Sequence, residues 1–146
     1  MKTNNLGYPR IGSNRELKKA NELYWANKIS AEELLSSAAI IRKQNWQLQA
    51  DKGIDLIPSN DFSLYDQVLD LTLTVGAIPV RYQEFARTNN SLDLYFAMAR
   101  GAQKEGQDVV AMEMTKWFDT NYHYIVPEFT KNQKFELFST KILDEF

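Results

Sequence analysis

Gly53-Ile54-Asp55-Leu56-Ile57-Pro58-Ser59-Asn60-Asp61-Phe62-Ser63-Leu64-Tyr65-Asp66 is the stretch on which the fold class turns. Residues 54–58 read as a short β-type run closed by proline, and residues 59–63 as a turn-rich loop. Both flanks change to a helical pattern. Upstream, Ser30-Ala31-Glu32-Glu33 has the S-x-x-E spacing of a capping box. It predicts a helix to about Lys52, with Leu34, Leu35, Ala38, Ile41, Trp46 and Leu48 as apolar positions and Gly53 as the stop. Downstream, a helix is expected over residues 64–75, ending near Gly76, with Asp61 or Ser63 as its cap. A strand between two helices argues for an α/β class over a helical bundle.

Working outward, residues 6–12 are glycine-bounded and read as a brief strand entering a loop. Ser13-Asn14-Arg15-Glu16 repeats the capping-box spacing and predicts a helix over residues 14–26. Its buried stripe would be Leu17, Ala20, Tyr24 and Leu23. Toward the C-terminus the pattern predicts a helix over residues 92–99, a polar loop over 101–108 and a buried strand over 109–112. Residues 114–124 are aromatic-rich and fit loop or strand. Residues 125–128 read as strand then stop. Residues 139–146 look like the start of a helix, so the chain reads as a fragment; a short fraying C-terminal helix is the alternative.

Composition bounds the function. A length of 146 residues suits one ordinary domain, and 44% hydrophobic with 25% charged residues is normal for a globular one. The formal net charge of -2 argues against a nucleic-acid partner. With no cysteine, the chain can build no disulfide, thiolate metal site or cysteine nucleophile. No apolar run approaches the roughly 20 residues that span a bilayer, so no membrane partner is expected. The polar start, Met1-Lys2-Thr3-Asn4-Asn5, does not read as a signal peptide, and a cytoplasmic location is expected.

Three segments are candidates for chemistry. Arg10 lies on a loop before a predicted helix that carries Arg15, Lys18 and Lys19 on nearby faces, a set able to hold a carboxylate or phosphate chain. A solvated basic face is the plainer alternative. Residues 114–124 combine four aromatics with Lys116, Asp119, Asn121 and the only histidine, His123. That mixture suits a site that stacks a ring and bonds its polar edges, or equally an aromatic mini-core. The third segment, residues 59–66, follows the central strand, where ligands are often bound in α/β folds; a helix cap by Asp61 or Ser63 is the plainer alternative. Neither a P-loop nor a G-x-S-x-G elbow is present. No spacing singles out an acid/base pair.

The same segments carry a family resemblance. Residues 6–12 with Arg15-Glu16-Leu17-Lys18 resemble the opening motif of cobalamin-independent methionine synthases. Residues 53–66 resemble the second block, and residues 114–127 resemble the third almost letter for letter. Order and spacing agree over nearly the whole chain.

The resemblance implies that residues 1–146 are an N-terminal fragment of a (βα)8 TIM-type barrel domain, in a two-barrel enzyme of about five times this length. It implies methyl transfer from 5-methyltetrahydropteroyltriglutamate to homocysteine, giving methionine. Zinc would lie in the C-terminal catalytic barrel, absent here, held by His, Cys and acidic ligands, so no metal ligand and no catalytic residue is assigned to this chain. The donor would be bound by positions matching Arg15, Glu16, Leu17, Lys18, Lys116 and Asn121. Cations among them would meet the glutamate carboxylates through charge-assisted hydrogen bonds. Residues 101–108 carry no transferable role. The fragment alone is expected to be inactive, and to be marginally stable or to associate with another copy or with the C-terminal half of the enzyme. The alternatives are a freestanding module for anionic small molecules and a purely structural barrel segment.

Overall fold

A computed structural model describes residues 1–104 and 106–145. They form a mixed α/β structure of helices and two small antiparallel sheets. It divides into two compact units, Met1–Leu64 with Glu145, and Tyr65–Asp144.

The first unit is built on two packed helices, α1 (Glu16–Trp25) and α2 (Ala31–Asp51). The capping box expected at Ser30 is formed. Glu33 N donates to Ser30 Oγ at 3.2 Å, and Ser30 N donates to the Glu33 carboxylate at 2.7 Å. The helix ends at Lys52 and Gly53. Its buried stripe runs Leu34, Ala38, Ile41 and then Gln49, a 4-3-8 progression along one face. Leu35 and Leu48, expected in the core, fall off that face and are exposed. Gln49 takes the inward position because its polar ends are satisfied. Its amide nitrogen donates to Asn45 O at 3.0 Å, and its oxygen accepts from Asn5 Nδ2 at 2.7 Å. On α1, Leu17 and Ala20 are buried as expected, Asn21 joins them, and Leu23 is exposed.

Neither strand expected in this unit forms. A single parallel bridge joins Asn4 to Leu56, with Leu56 N donating to Thr3 O at 3.0 Å. The run over residues 6–12 cannot extend that ladder, because Tyr8 N donates to the Asp61 carboxylate at 2.9 Å and Pro9 has no N–H. Asp61 is therefore a loop brace rather than a helix cap. Arg42 lies with its guanidinium 5.5 Å from the Phe62 ring centre and 3.2 Å from Glu145.

The second unit holds α3 (Gln67–Thr74), a 3-10 turn (Val80–Tyr82), α4 (Gln83–Thr88) and α5 (Ser91–Arg100). Two hairpins follow: β1 (Ala102–Lys104) with β2 (Gln107–Val109), and β3 (Met114–Lys116) with β4 (His123–Ile125). The short α6 (Lys141–Asp144) comes last. Helix α3 packs on α5 and on β4. It starts later than expected, capped by Asp66 rather than Asp61 or Ser63.

The polar loop expected over residues 101–108 is a hairpin instead, with Gly106 at φ 77° supplying a left-handed turn position. Only Val109 of the expected 109–112 strand is in a sheet; Val110 is exposed and Met112 is buried. The 114–124 segment resolves as the β3–β4 hairpin, and the strand expected over 125–128 ends at Ile125. Helix α4 had no sequence expectation. The Arg81 guanidinium stacks 4.6 Å from the Tyr82 ring centre and pairs with both carboxylate oxygens of Glu128. That pairing lowers the Glu128 pKa and raises that of Arg81; burial raises that of Tyr82. No helix of the described residues is long and apolar enough to cross a membrane.

The capping box carries a stability prediction. Ser30→Ala removes the acceptor for Glu33 N and lowers stability by about 1 kcal/mol, read from urea denaturation. An unchanged midpoint would show that the box contributes nothing.

Candidate functional site

The first candidate segment is built by two reversals of the chain ahead of α1. Gly12 has φ 82° and Arg15 has φ 62°, both left-handed. Arg15 is the residue before the helix and makes no side-chain cap. The capping box expected at Ser13 is replaced by a different closure. The Glu16 carboxylate accepts from Asn14 N at 2.9 Å and from Asn14 Nδ2 at 3.3 Å. Its own backbone N–H and those of Asn14 hold the Glu16 pKa below the ordinary value, with a smaller pull from Lys19. A Cβ on Gly12 would stand 2.1 Å from Glu16 Oε2, so this closure needs glycine.

The closure leaves Arg15 exposed at the bend and Lys18 exposed one turn on, where it pairs with Glu22 at 3.5 Å. An exposed i,i+4 pair is weak, so Lys18 can exchange Glu22 for a ligand carboxylate at little cost. Leu17 has no exposed surface, and its N–H donates to Ile11 O at 3.2 Å. Its part is to anchor the segment. Arg10 is turned inward to the chain, donating to Ser63 O at 2.7 Å. The open groove beside α1, about 720 Å³, is lined by Lys19 but also by Glu16, Glu32 and Glu33. Three carboxylates against one ammonium make it the wrong sign for a polyanion.

The second candidate segment is the β3–β4 hairpin. Lys116 pairs across from His123, and the loop closes through Trp117 N donating to Tyr122 O at 2.7 Å. Lys116 and Asn121 are both exposed. The Asn121 carbonyl oxygen lies 3.1 Å from His123 Nδ1. Trp117 stacks edge-on with Phe118 and with Tyr124, so the aromatics form a cluster at the hairpin. Phe118 is itself left-handed at φ 51°. Of the non-glycine residues with positive φ among those described, Asn27 and Asn60 tolerate it; Arg15 and Phe118 do not. Both costly positions fall in the candidate segments, where backbone strain of about 1–3 kcal/mol commonly concentrates.

The two segments belong to different units, Arg15, Glu16, Leu17 and Lys18 to the first, Lys116 and Asn121 to the second. In the third candidate segment, residues 59–66, the residue to which sequence reading gave no role is Asp66. Only 3% exposed, it accepts from Leu69 N at 2.9 Å and from Ile125 N at 3.3 Å through Oδ2. Its Oδ1 accepts from the Tyr122 hydroxyl at 2.9 Å. The signal available was its place directly before an apolar run, where an aspartate reads as a cap.

Over residues 2–146 the chain matches the family model described as cobalamin-independent synthase, N-terminal domain. The chain belongs to the cobalamin-independent methionine synthase family. It is 82% identical over 146 residues to a 5-methyltetrahydropteroyltriglutamate–homocysteine methyltransferase of Flavobacterium johnsoniae. It is 58% identical over 148 residues to that of Cytophaga hutchinsonii, and in both cases all of this chain is covered. The Saccharomyces cerevisiae protein of the same name is 52% identical over 147 residues, covering 97% of this chain. The chain spans about a fifth of the length of these family members, 19% in each case.

The Glu16 closure is open to titration. Gly12→Ala pushes the carboxylate off Asn14 and returns the Glu16 pKa toward its ordinary value, as followed by carbon-13 NMR. Because the folded pKa is lowered, the bonds to the carboxylate from Glu16 N and from Asn14 stabilise the fold above the ordinary value of 4.5 and are lost as pH falls through the lowered one. An unmoved Glu16 titration in the variant would contradict this closure.

Proposed function

We propose that the chain is the donor-binding N-terminal part of a methyltransferase that moves a methyl group from 5-methyltetrahydropteroyltriglutamate to homocysteine, giving methionine. The family membership supports the reaction, and the names of the relatives support the substrates. The observation that carries the reading onto these residues is local. Arg15, Lys18 and Lys116 are exposed cations, and two of them sit in or beside a strained turn. A triglutamate tail presents several carboxylates, and cations answer them with charge-assisted hydrogen bonds.

In this reading Arg15, Lys18 and Lys116 meet the tail, and Asn121 adds an amide that can both donate and accept. Glu16 and Leu17 hold the turn that presents Arg15 and Lys18. Residues 1–146 then form the early part of an N-terminal (βα)8 barrel. The parallel bridge between Asn4 and Leu56, with α1 and α2 in the crossover, supports that architecture. Zinc would activate the homocysteine thiol elsewhere in the enzyme. The donor set of this chain does not fit it: there is no cysteine and one histidine, and no described cluster of three His, Asp or Glu is of metal-binding kind. We read the location as cytoplasmic. Phe129, Phe135 and Leu137 are each at least 60% exposed, which supports a further covering surface, from the C-terminal part of the enzyme or a second copy.

Two measurements follow. In a full-length chain carrying this segment, Lys18→Ala and Lys116→Ala each weaken binding of the triglutamyl donor by up to about fivefold, as read by calorimetry. Unchanged affinity in both variants would remove the binding assignment. Separately, sedimentation of residues 1–146 shows self-association or partial unfolding; a stable folded monomer would contradict the covering-surface argument.

A further inference from the structure

We propose that Asp66 is a positioning residue for donor binding, acting through the Tyr122 hydroxyl on the hairpin loop that carries Lys116 and Asn121. The proposal rests on the donor-binding reading above and goes beyond it, since neither Asp66 nor Tyr122 is a predicted contact.

A buried carboxylate offers only acceptors, and leaving one unsatisfied is costly. Asp66 spends its two oxygens on different tasks. Oδ2 takes Leu69 N at the start of α3 and Ile125 N in β4, which ties the base of the hairpin to the helix. Oδ1 takes the Tyr122 hydroxyl, which ties the loop. The position of Asp66 is set in turn by Tyr95, whose hydroxyl accepts from Asp66 N at 2.9 Å and Tyr65 N at 3.0 Å and lies 3.3 Å from Asp66 O.

Tyr122 is therefore held at both ends. Its carbonyl accepts from Trp117 N at 2.7 Å, closing the loop, and its ring tip is anchored on a buried acceptor. Lys116 lies just outside this closure, one residue before Trp117, and Asn121 just inside it, one residue before Tyr122. The loop also holds Phe118 at φ 51°, a conformation that persists only where the surroundings over-determine it. Releasing the ring tip lets Lys116 and Asn121 leave the geometry needed for a shared ligand. An ammonium and an amide that must be ordered on binding cost affinity that preorganised ones do not.

The test uses a full-length chain carrying this segment. Tyr122→Phe removes one hydroxyl and keeps the ring. Asp66→Asn keeps an oxygen for the two N–H groups and replaces the acceptor of the Tyr122 proton with an amide N–H donor, leaving at best a neutral, reversed bond to the phenol. Each variant is expected to raise KM for the triglutamyl donor roughly five- to tenfold, leaving KM for homocysteine unchanged. The double variant is expected to be no worse than the weaker single one, because both cut the same link. A lowered melting temperature with unchanged donor KM would assign the pair a structural role only and overturn the proposal. Additive effects would overturn it as well, by making Tyr122 act independently of Asp66. If Asp66→Asn does not fold, the KM of Tyr122→Phe decides alone. Lys116→Ala separates the two claims: a raised donor KM there with normal values in both other variants sinks only the positioning role. An unchanged donor KM in Lys116→Ala removes the site itself, and the proposal with it.

Discussion

The second unit depends on satisfying one buried carboxylate. Asp66 is 3% exposed, and its charge is tolerable only because donors reach it from three places. The first turn of α3 supplies Leu69 N, β4 supplies Ile125 N, and the hairpin loop supplies a phenol. Hydrogen bonds to an ionised carboxylate are stronger than those between neutral groups. They also dictate direction, because each oxygen accepts only where its lone pairs point. Helix α3 and the β3–β4 hairpin are thereby fixed to each other, and the fully buried Leu69 and Ile125 pack where those bonds bring them.

The first unit solves its corresponding problem with local chemistry. Gly12 turns left-handed, Arg15 turns left-handed, and Glu16 folds back on Asn14 to close the bend. Then α1 begins, anchored by Leu17. The arrangement spends backbone strain to hold an arginine outside the helix that it precedes. A surface helix needs no such device. The strain at Arg15 and Phe118 is one reason for proposing a role for these segments, against a solvated basic face for the first and an aromatic mini-core for the second.

Much of this was legible from residue patterns, and the failures share a cause. Helix α2 was readable from Ser30 to Gly53 because both of its end signals are local. The start of α3 was misread because Asp61, Ser63 and Asp66 all qualify as caps in sequence. The choice is made by Tyr122 and Ile125, more than fifty residues away. The strand expected at residues 6–12 failed the same way, since Asp61 claims the N–H of Tyr8. The β1–β2 hairpin was hidden by its polarity, and α4 by a sequence, Gln83–Thr88, that buries only Phe85. The site residues were named through family resemblance. Of these, Arg15, Lys18 and Lys116 are exposed and Leu17 is buried.

The proposed function rests on one claim: that exposed cations of this segment meet the carboxylates of a polyglutamate tail. The most direct measurement compares the affinity of a full-length chain for monoglutamyl and triglutamyl forms of the donor across a range of salt. Tighter binding of the triglutamyl form is expected, with the difference shrinking as salt screens the exposed charges. Equal affinities for the two forms at low salt would contradict it.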